Sequence, residues 1–291
     1  EYLYQAEVQT SKRLLKLRDL ADALEKVNVD KIIGQWESEA GIVLAEAQKE
    51  AIHASLKYGV FVLTGGPGTG KTTVIKGILA VLEKAGCRIL LAAPTGRAAR
   101  RLADSSGHPA VTVHRLLEYT PNGGGFNFGK NDGDPLDADA IIIDEASMLD
   151  ITLTYHLLKA VQGGCRLIFV GDVDQLPSVG AGSVLKDIIR SQKMPVVRLE
   201  NVFRKAEISP IVRNAHRINR GQMPEWEPSS DFTFVEIENE FDAAEYVANI
   251  YARLTQQSDW QSVQVLSPMH KNPCGVQNLN HLLQQRINPP E

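Results

Sequence analysis

Three observations predict an α/β protein whose parallel sheet is covered on both faces. Short runs of Val, Ile and Leu without polar alternation recur at Val60–Leu63, Ile89–Ala93, Ala140–Ile143, Leu167–Val170 and Val196–Leu199. Helical or loop stretches separate them, and strands apolar on both sides belong in sheets buried between helices. A glycine-rich loop joins the first of these strands to a helix beginning at Lys71. That strand–loop–helix order is the one a phosphate-binding unit requires.

Along the chain, residues 1–40 read as helical and polar. Leu17, Leu20, Leu24 and Val27 recur at helical spacing and form one apolar stripe, as in a packing helix left from a larger N-terminal region. A second helical stretch, Ala45–Lys57, precedes the first strand. Residues 119–136 break the rhythm with Pro121, Gly123, Gly124, Gly125, Gly129, Gly133 and Pro135. Within them Gly125-Phe126-Asn127-Phe128-Gly129 alternates polar and aromatic between turn formers, which suits a hairpin; a mobile loop is the other reading. After residue 203 a second α/β pattern begins. Helices are expected around Ile208–Asn219, Ala243–Leu254 and Val276–Gln285, and strands at Phe232–Ile237 and Val263–Leu266. These are too few for a whole second domain. At 291 residues the chain has room for about two domains.

Composition narrows the function. No apolar run approaches the roughly 18 residues that span a bilayer, so no membrane association is expected. The N-terminus has neither a basic leader nor an initiator Met, which reads as a cytoplasmic fragment without a signal peptide. Cys87, Cys165 and Cys274 lie far apart and form no C-x-x-C pair, so neither a zinc site nor a disulfide framework is supported. The net charge of −4 argues against a protein that coats nucleic acid by bulk charge, yet leaves room for a local basic groove.

The chemistry sits at the ends of the strands. Gly65-Gly66-Pro67-Gly68-Thr69-Gly70-Lys71-Thr72 fits G-x-x-x-x-G-K-[ST]. The glycines let backbone N–H groups turn toward phosphates, and the helix dipole favours negative charge. Gly66, Pro67, Gly68, Thr69, Gly70, Lys71, Thr72 and Thr73 are thus candidate ATP contacts. Lys71 is expected at the β- and γ-phosphates and the Thr72 hydroxyl on Mg²⁺. Asp144 and Glu145 end the strand Ile141-Ile142-Ile143. A carboxylate there can hold the magnesium shell, Asp144 through water, and its neighbour Glu145 can polarise the attacking water. A further strand delivers Gly171-Asp172-Val173-Asp174-Gln175-Leu176-Pro177, in which the Gln175 amide can bond both a phosphate oxygen and water. Alone, that segment reads equally well as a polar turn.

The ordered set is larger than any one motif. It comprises Gln48, the segment Ala93-Pro94-Thr95-Gly96-Arg97-Ala98-Ala99-Arg100-Arg101-Leu102, Thr112-Val113-His114-Arg115-Leu116-Leu117, Asp144-Glu145-Ala146-Ser147, the Gln175 segment and Leu199-Glu200-Asn201-Val202-Phe203-Arg204. From about residue 41 onward the chain resembles superfamily 1 helicases of the RecD type, and its tail, Ser267-Pro268-Met269-His270-Lys271 with Asn278-Leu279-Asn280, resembles their stand-alone bacterial branch. The resemblance implies a RecA-like first motor domain at 41–202, with a pin-like insertion at 119–136, and part of a second RecA-like domain at 203–291. It implies ATP-dependent movement along single-stranded DNA, 5′ to 3′, and unwinding at duplex junctions, with Mg²⁺ as cofactor. By the same resemblance Gln48 would read adenine, Thr95, Gly96, Arg97, His114 and Arg115 would line the DNA path, and Arg204 would be an arginine finger. Arg97, Arg100 and Arg101 share one helix face and can meet phosphates, or form a solvated basic face. Protein partners would engage the region before residue 1. The motifs that close the second domain in this family are missing after Leu266, which puts a complete ATPase cycle of this chain in doubt. A nucleotide-binding switch or scaffold that moves no DNA is the alternative, and a P-loop kinase a weaker one, since no acceptor segment or lid is evident.

Overall fold

The computed structural model describes residues 1–20, 27–122, 125–200, 209–226 and 231–289. Leu24 and Arg204 lie outside the described residues. The chain divides into two units, residues 1–224 and 225–291.

In the first unit, β1 (Val60–Gly65), β2 (Ile89–Ala93), β3 (Ala110–Thr112), β6 (Ala140–Ile143), β7 (Arg166–Gly171) and β8 (Val196–Leu199) form a parallel sheet of order β3-β2-β6-β7-β1-β8, the α/β architecture expected. Its strands explain their own composition. Val60 and Val62 enter one apolar layer with Ile141, Ile143, Leu167 and Phe169, while Phe61 and Leu63 enter the other with Ile142, Ile168 and Val170. With a side-chain period of two and a core on each face, the central positions of these strands are apolar on both sides.

On the first face lie α1 (Tyr2–Leu20), α7 (Ile151–Ala160) and α8 (Val184–Ser191); on the second, α2 (Val29–Ala40), α3 (Glu46–Lys57) and α4 (Lys71–Lys84). The expected N-terminal helix is thus two helices. Leu14 and Leu17 of α1 are buried in the first layer and Ile33 of α2 in the second. Helices α5 (Gly96–Ser106) and α6 (Val113–Leu116) leave the ends of β2 and β3. The insertion is a hairpin, β4 (Tyr119–Asn122) paired antiparallel with β5 (Gly125–Phe128). Strand β3 was not foreseen, because its three residues, Ala-Val-Thr, are too short a run to show periodicity.

Asp150 caps α7, its carboxylate accepting the Leu153 amide hydrogen at 2.7 Å. Asp150→Ala should lower stability by about 1 kcal/mol, the usual worth of an N-cap. A thermal melt checks this; an unchanged midpoint would show that water replaces the cap without loss.

After β8 and the undescribed residues 201–208 comes α9 (Pro210–Asn219). The second unit holds α10 (Glu240–Gln257) and α11 (Val276–Ile287), which bury Ala244, Ala248 and Leu279 and are joined by Arg286 to Glu245 and Asn249. Among the described residues no strand forms at Phe232–Ile237 or Val263–Leu266, where strands were expected. An apolar run is favoured as a strand by burial of its side chains against a sheet, and here Leu266 is 83% exposed. Among the described residues no helix is long and apolar enough to cross a membrane.

Candidate nucleotide site

Strand order brings the motifs together. β6, β7, β1 and β8 are successive neighbours, so the residues following each meet at one edge of the sheet, where ligands of open α/β folds bind.

The loop after β1 depends on glycine twice over. Gly68 and Gly70 have φ of 76° and 85°, a left-handed conformation that side chains resist. At Gly65 the neighbouring strand is too close, since a Cβ there would lie 2.9 Å from the Leu199 carbonyl oxygen. Gly70 places no side chain on the start of α4, leaving its first N–H groups available. Lys71 opens that helix and donates from Nζ to the Gly65 carbonyl at 2.6 Å and the Gly66 carbonyl at 3.1 Å. Burial pushes its pKa down, opposed by the charges of Asp172, Glu145 and Asp144. The Thr69 hydroxyl donates to the same Gly66 carbonyl at 2.8 Å. Thr72 and Thr73 occupy the first turn of α4, half-buried.

Gln48 has both ends of its amide engaged. Nε2 donates to the Thr69 carbonyl at 3.3 Å, and Oε1 accepts the Ala45 amide hydrogen at 3.0 Å. Buried in this way, it ties α3 to the phosphate loop.

Beyond β6, Asp144 is held by its backbone N–H on the Ala92 carbonyl, and its Oδ1 accepts the Glu145 amide hydrogen at 2.9 Å. Burial raises the Asp144 pKa, and the Glu145 charge adds to this against Arg101 and Lys71. A half-buried carboxylate whose pKa is raised, close enough to Lys71 at the start of α4 to feel its charge, suits a hard cation bound through oxygen. Glu145 itself has φ 53°, a sparsely populated backbone for a non-glycine residue and a recurrent feature of working sites. Its Oε1 lies 3.7 Å from Arg101 Nη2.

Beyond β7, Asp172 is buried, and its Oδ1 accepts the Asp174 amide hydrogen at 3.0 Å. Gln175 follows on the exposed side of the turn. Gly65, Gly66, Thr69, Asp172, Gln175 and His216 are among the walls of a polar cavity of about 510 Å³.

The residues expected on a DNA path share the same edge, because Ala93 of β2 pairs with Thr112 of β3. Thr95 caps α5 by accepting the Ala98 amide hydrogen at 3.2 Å, and Gly96 and Arg97 follow it. Thr112 caps α6 by accepting the Arg115 amide hydrogen at 3.1 Å. His114 and Arg115 are exposed, with the His114 ring edge-on to Tyr119 of the hairpin at 5.5 Å. Arg100 lies 4.0 Å from Asp104. Two placements went unforeseen: Arg101 beside Glu145, and His216 on the cavity wall. The first had a partial signal, since Arg101 stands at i+4 from Arg97. The second had none, for nothing in 210–219 marks which face meets the phosphate loop.

The chain is similar to several known proteins. A family model described as an AAA domain matches residues 48–181. The ATP-dependent RecD2 DNA helicase of Deinococcus radiodurans is 41% identical over 248 residues, covering 85% of this chain and 33% of that protein. The RecBCD enzyme subunit RecD of Mycobacterium tuberculosis is 44% identical over 167 residues, 50% of this chain and 28% of that one. A solved structure of the Pif1 helicase from Candida albicans aligns with a TM-score of 0.47 and 20% identity, over 72% of this chain and 55% of the other. The chain thus spans 33% or less of the length of either curated relative.

Proposed function

Starting from the kinship of this chain with the RecD-like superfamily 1 helicases, we propose that it is the ATP-binding part of a DNA motor. In this reading it hydrolyses ATP to move 5′ to 3′ along single-stranded DNA and to open duplex junctions. One observation carries the proposal: residues suited to phosphate and residues suited to DNA stand on one edge of one sheet, and Arg101 of α5 lies 3.7 Å from Glu145.

The chain's own residues divide the work. The amides of Gly68, Gly70 and the first turn of α4 cradle the phosphates, with Lys71 leaving the Gly65 and Gly66 carbonyls to join them. Thr72 and Asp144 would hold Mg²⁺, which supplies positive charge against the phosphates. Glu145 accepts the proton of the attacking water. Gln175 reports the terminal phosphate, and Arg204 supplies the finger. Gln48 reads adenine on exchanging its bond to Thr69. Residues 41–202 form the first motor domain, 203–291 contribute to the second, and the insertion at 119–136, which holds the hairpin, is the pin. The protein works in the cytoplasm on single strands and junctions, together with protein partners.

ATP turnover by the intact protein should rise strongly on adding single-stranded DNA. DNA binding should weaken in His114→Ala with Arg115→Ala, and the slope of log affinity against log salt should fall by about one for the lost arginine. Turnover indifferent to DNA would favour a nucleotide-driven switch.

A further inference from the structure

The wall of the cavity opposite the phosphate loop belongs to α9. Ala215, His216, Asn219 and Arg220 face it, at spacings that lie on one side of a helix. His216 reaches the loop: a Cβ added to Gly66 would lie 3.3 Å from its Cε1. The adjacent ring atom, Nε2, is shut off from solvent and has no hydrogen-bond partner among the described residues. Such an atom costs stability unless something supplies a hydrogen-bond partner, and the ring that carries it lines the cavity, where a ligand can supply one once the side chain turns.

We propose that His216 is a nucleotide contact, donating a hydrogen bond from Nε2 to the terminal phosphate of ATP and so distinguishing triphosphate from diphosphate. The proposal rests on the nucleotide-site reading above. Gly66 and Gln175 place the cavity at the end of the phosphate loop where the last phosphate arrives, and Lys71 is already bonded to Gly65 and Gly66 there. The ring reaches Gly66 from outside the sheet, on a helix that follows β8. An ADP-filled loop would leave Nε2 without an acceptor; an ATP-filled loop would satisfy it. A side chain at residue 66 would then stand between the imidazole and the phosphate.

Calorimetry on the 291-residue chain with MgADP and with the magnesium complex of a non-hydrolysable ATP analogue tests this. In His216→Ala the analogue should bind about tenfold more weakly, as expected for a lost bond to a charged acceptor, while MgADP affinity stays within about twofold. His216→Gln, which keeps a donor of similar reach, should recover most of the loss. His216→Leu fills the space without a donor and should behave as alanine does, so the test survives poor folding of the alanine variant. Equal changes for both nucleotides, or none, would overturn the proposal and leave His216 as packing. If the unsubstituted chain bound neither nucleotide, the phosphate-loop reading itself would fall.

Discussion

Glu145→Gln is expected to slow ATP turnover about a hundredfold or more in the intact protein while MgATP stays bound. The carboxylate follows directly on Asp144 at the sheet edge, its side chain only 17% exposed, with Arg101 3.7 Å from its oxygen. Glutamine keeps the shape and the strained backbone but cannot take a proton from water. The substitution also removes a charge that raises the Asp144 pKa, so Asp144 ionises no less readily than before. Single-turnover hydrolysis together with calorimetry separates the two effects. Turnover at the unsubstituted rate would show that another group is the base.

Lys71→Ala should weaken MgATP binding about a hundredfold, because a buried ammonium on a triphosphate is a charge-assisted bond in a poorly solvated site. Stability should change little. The Gly66 carbonyl keeps the Thr69 hydroxyl as a donor, and loss of an ammonium that burial already disfavours removes a desolvation cost. An unchanged affinity in a folded variant would end the phosphate-loop assignment.

Much of this was legible beforehand, for identifiable reasons. Strands such as Val60–Leu63 announce themselves because burial on two faces leaves no place for a polar residue. The phosphate loop is legible because its constraints are local: left-handed backbone at Gly68 and Gly70, and a lysine at the start of a helix. The hairpin followed from alternation between turn formers. Non-local facts were not legible. That β3 pairs with β2, that Gln48 is spent on Thr69, and that Arg101 reaches Glu145 depend on elements meeting far along the chain. The segments at 232–237 and 263–266 misled in the opposite sense: their composition suits a strand, but pairing decides, and composition cannot report a partner.

The sheet order has a consequence for how such a protein is made. β1 carries the loop that names the site, yet Val60 pairs with Leu167 and Val62 with Val196, each more than a hundred residues further on. During synthesis the loop therefore emerges long before the strands that flank it, and its apolar β1 must wait without them, a folding order that is slow and exposed to misassembly. The glycine motif is complete by Thr72, but the surface that makes it a site closes only once β8 has been delivered. A nascent chain halted before Leu199 would carry every letter of the motif and lack the strand that packs against Gly65.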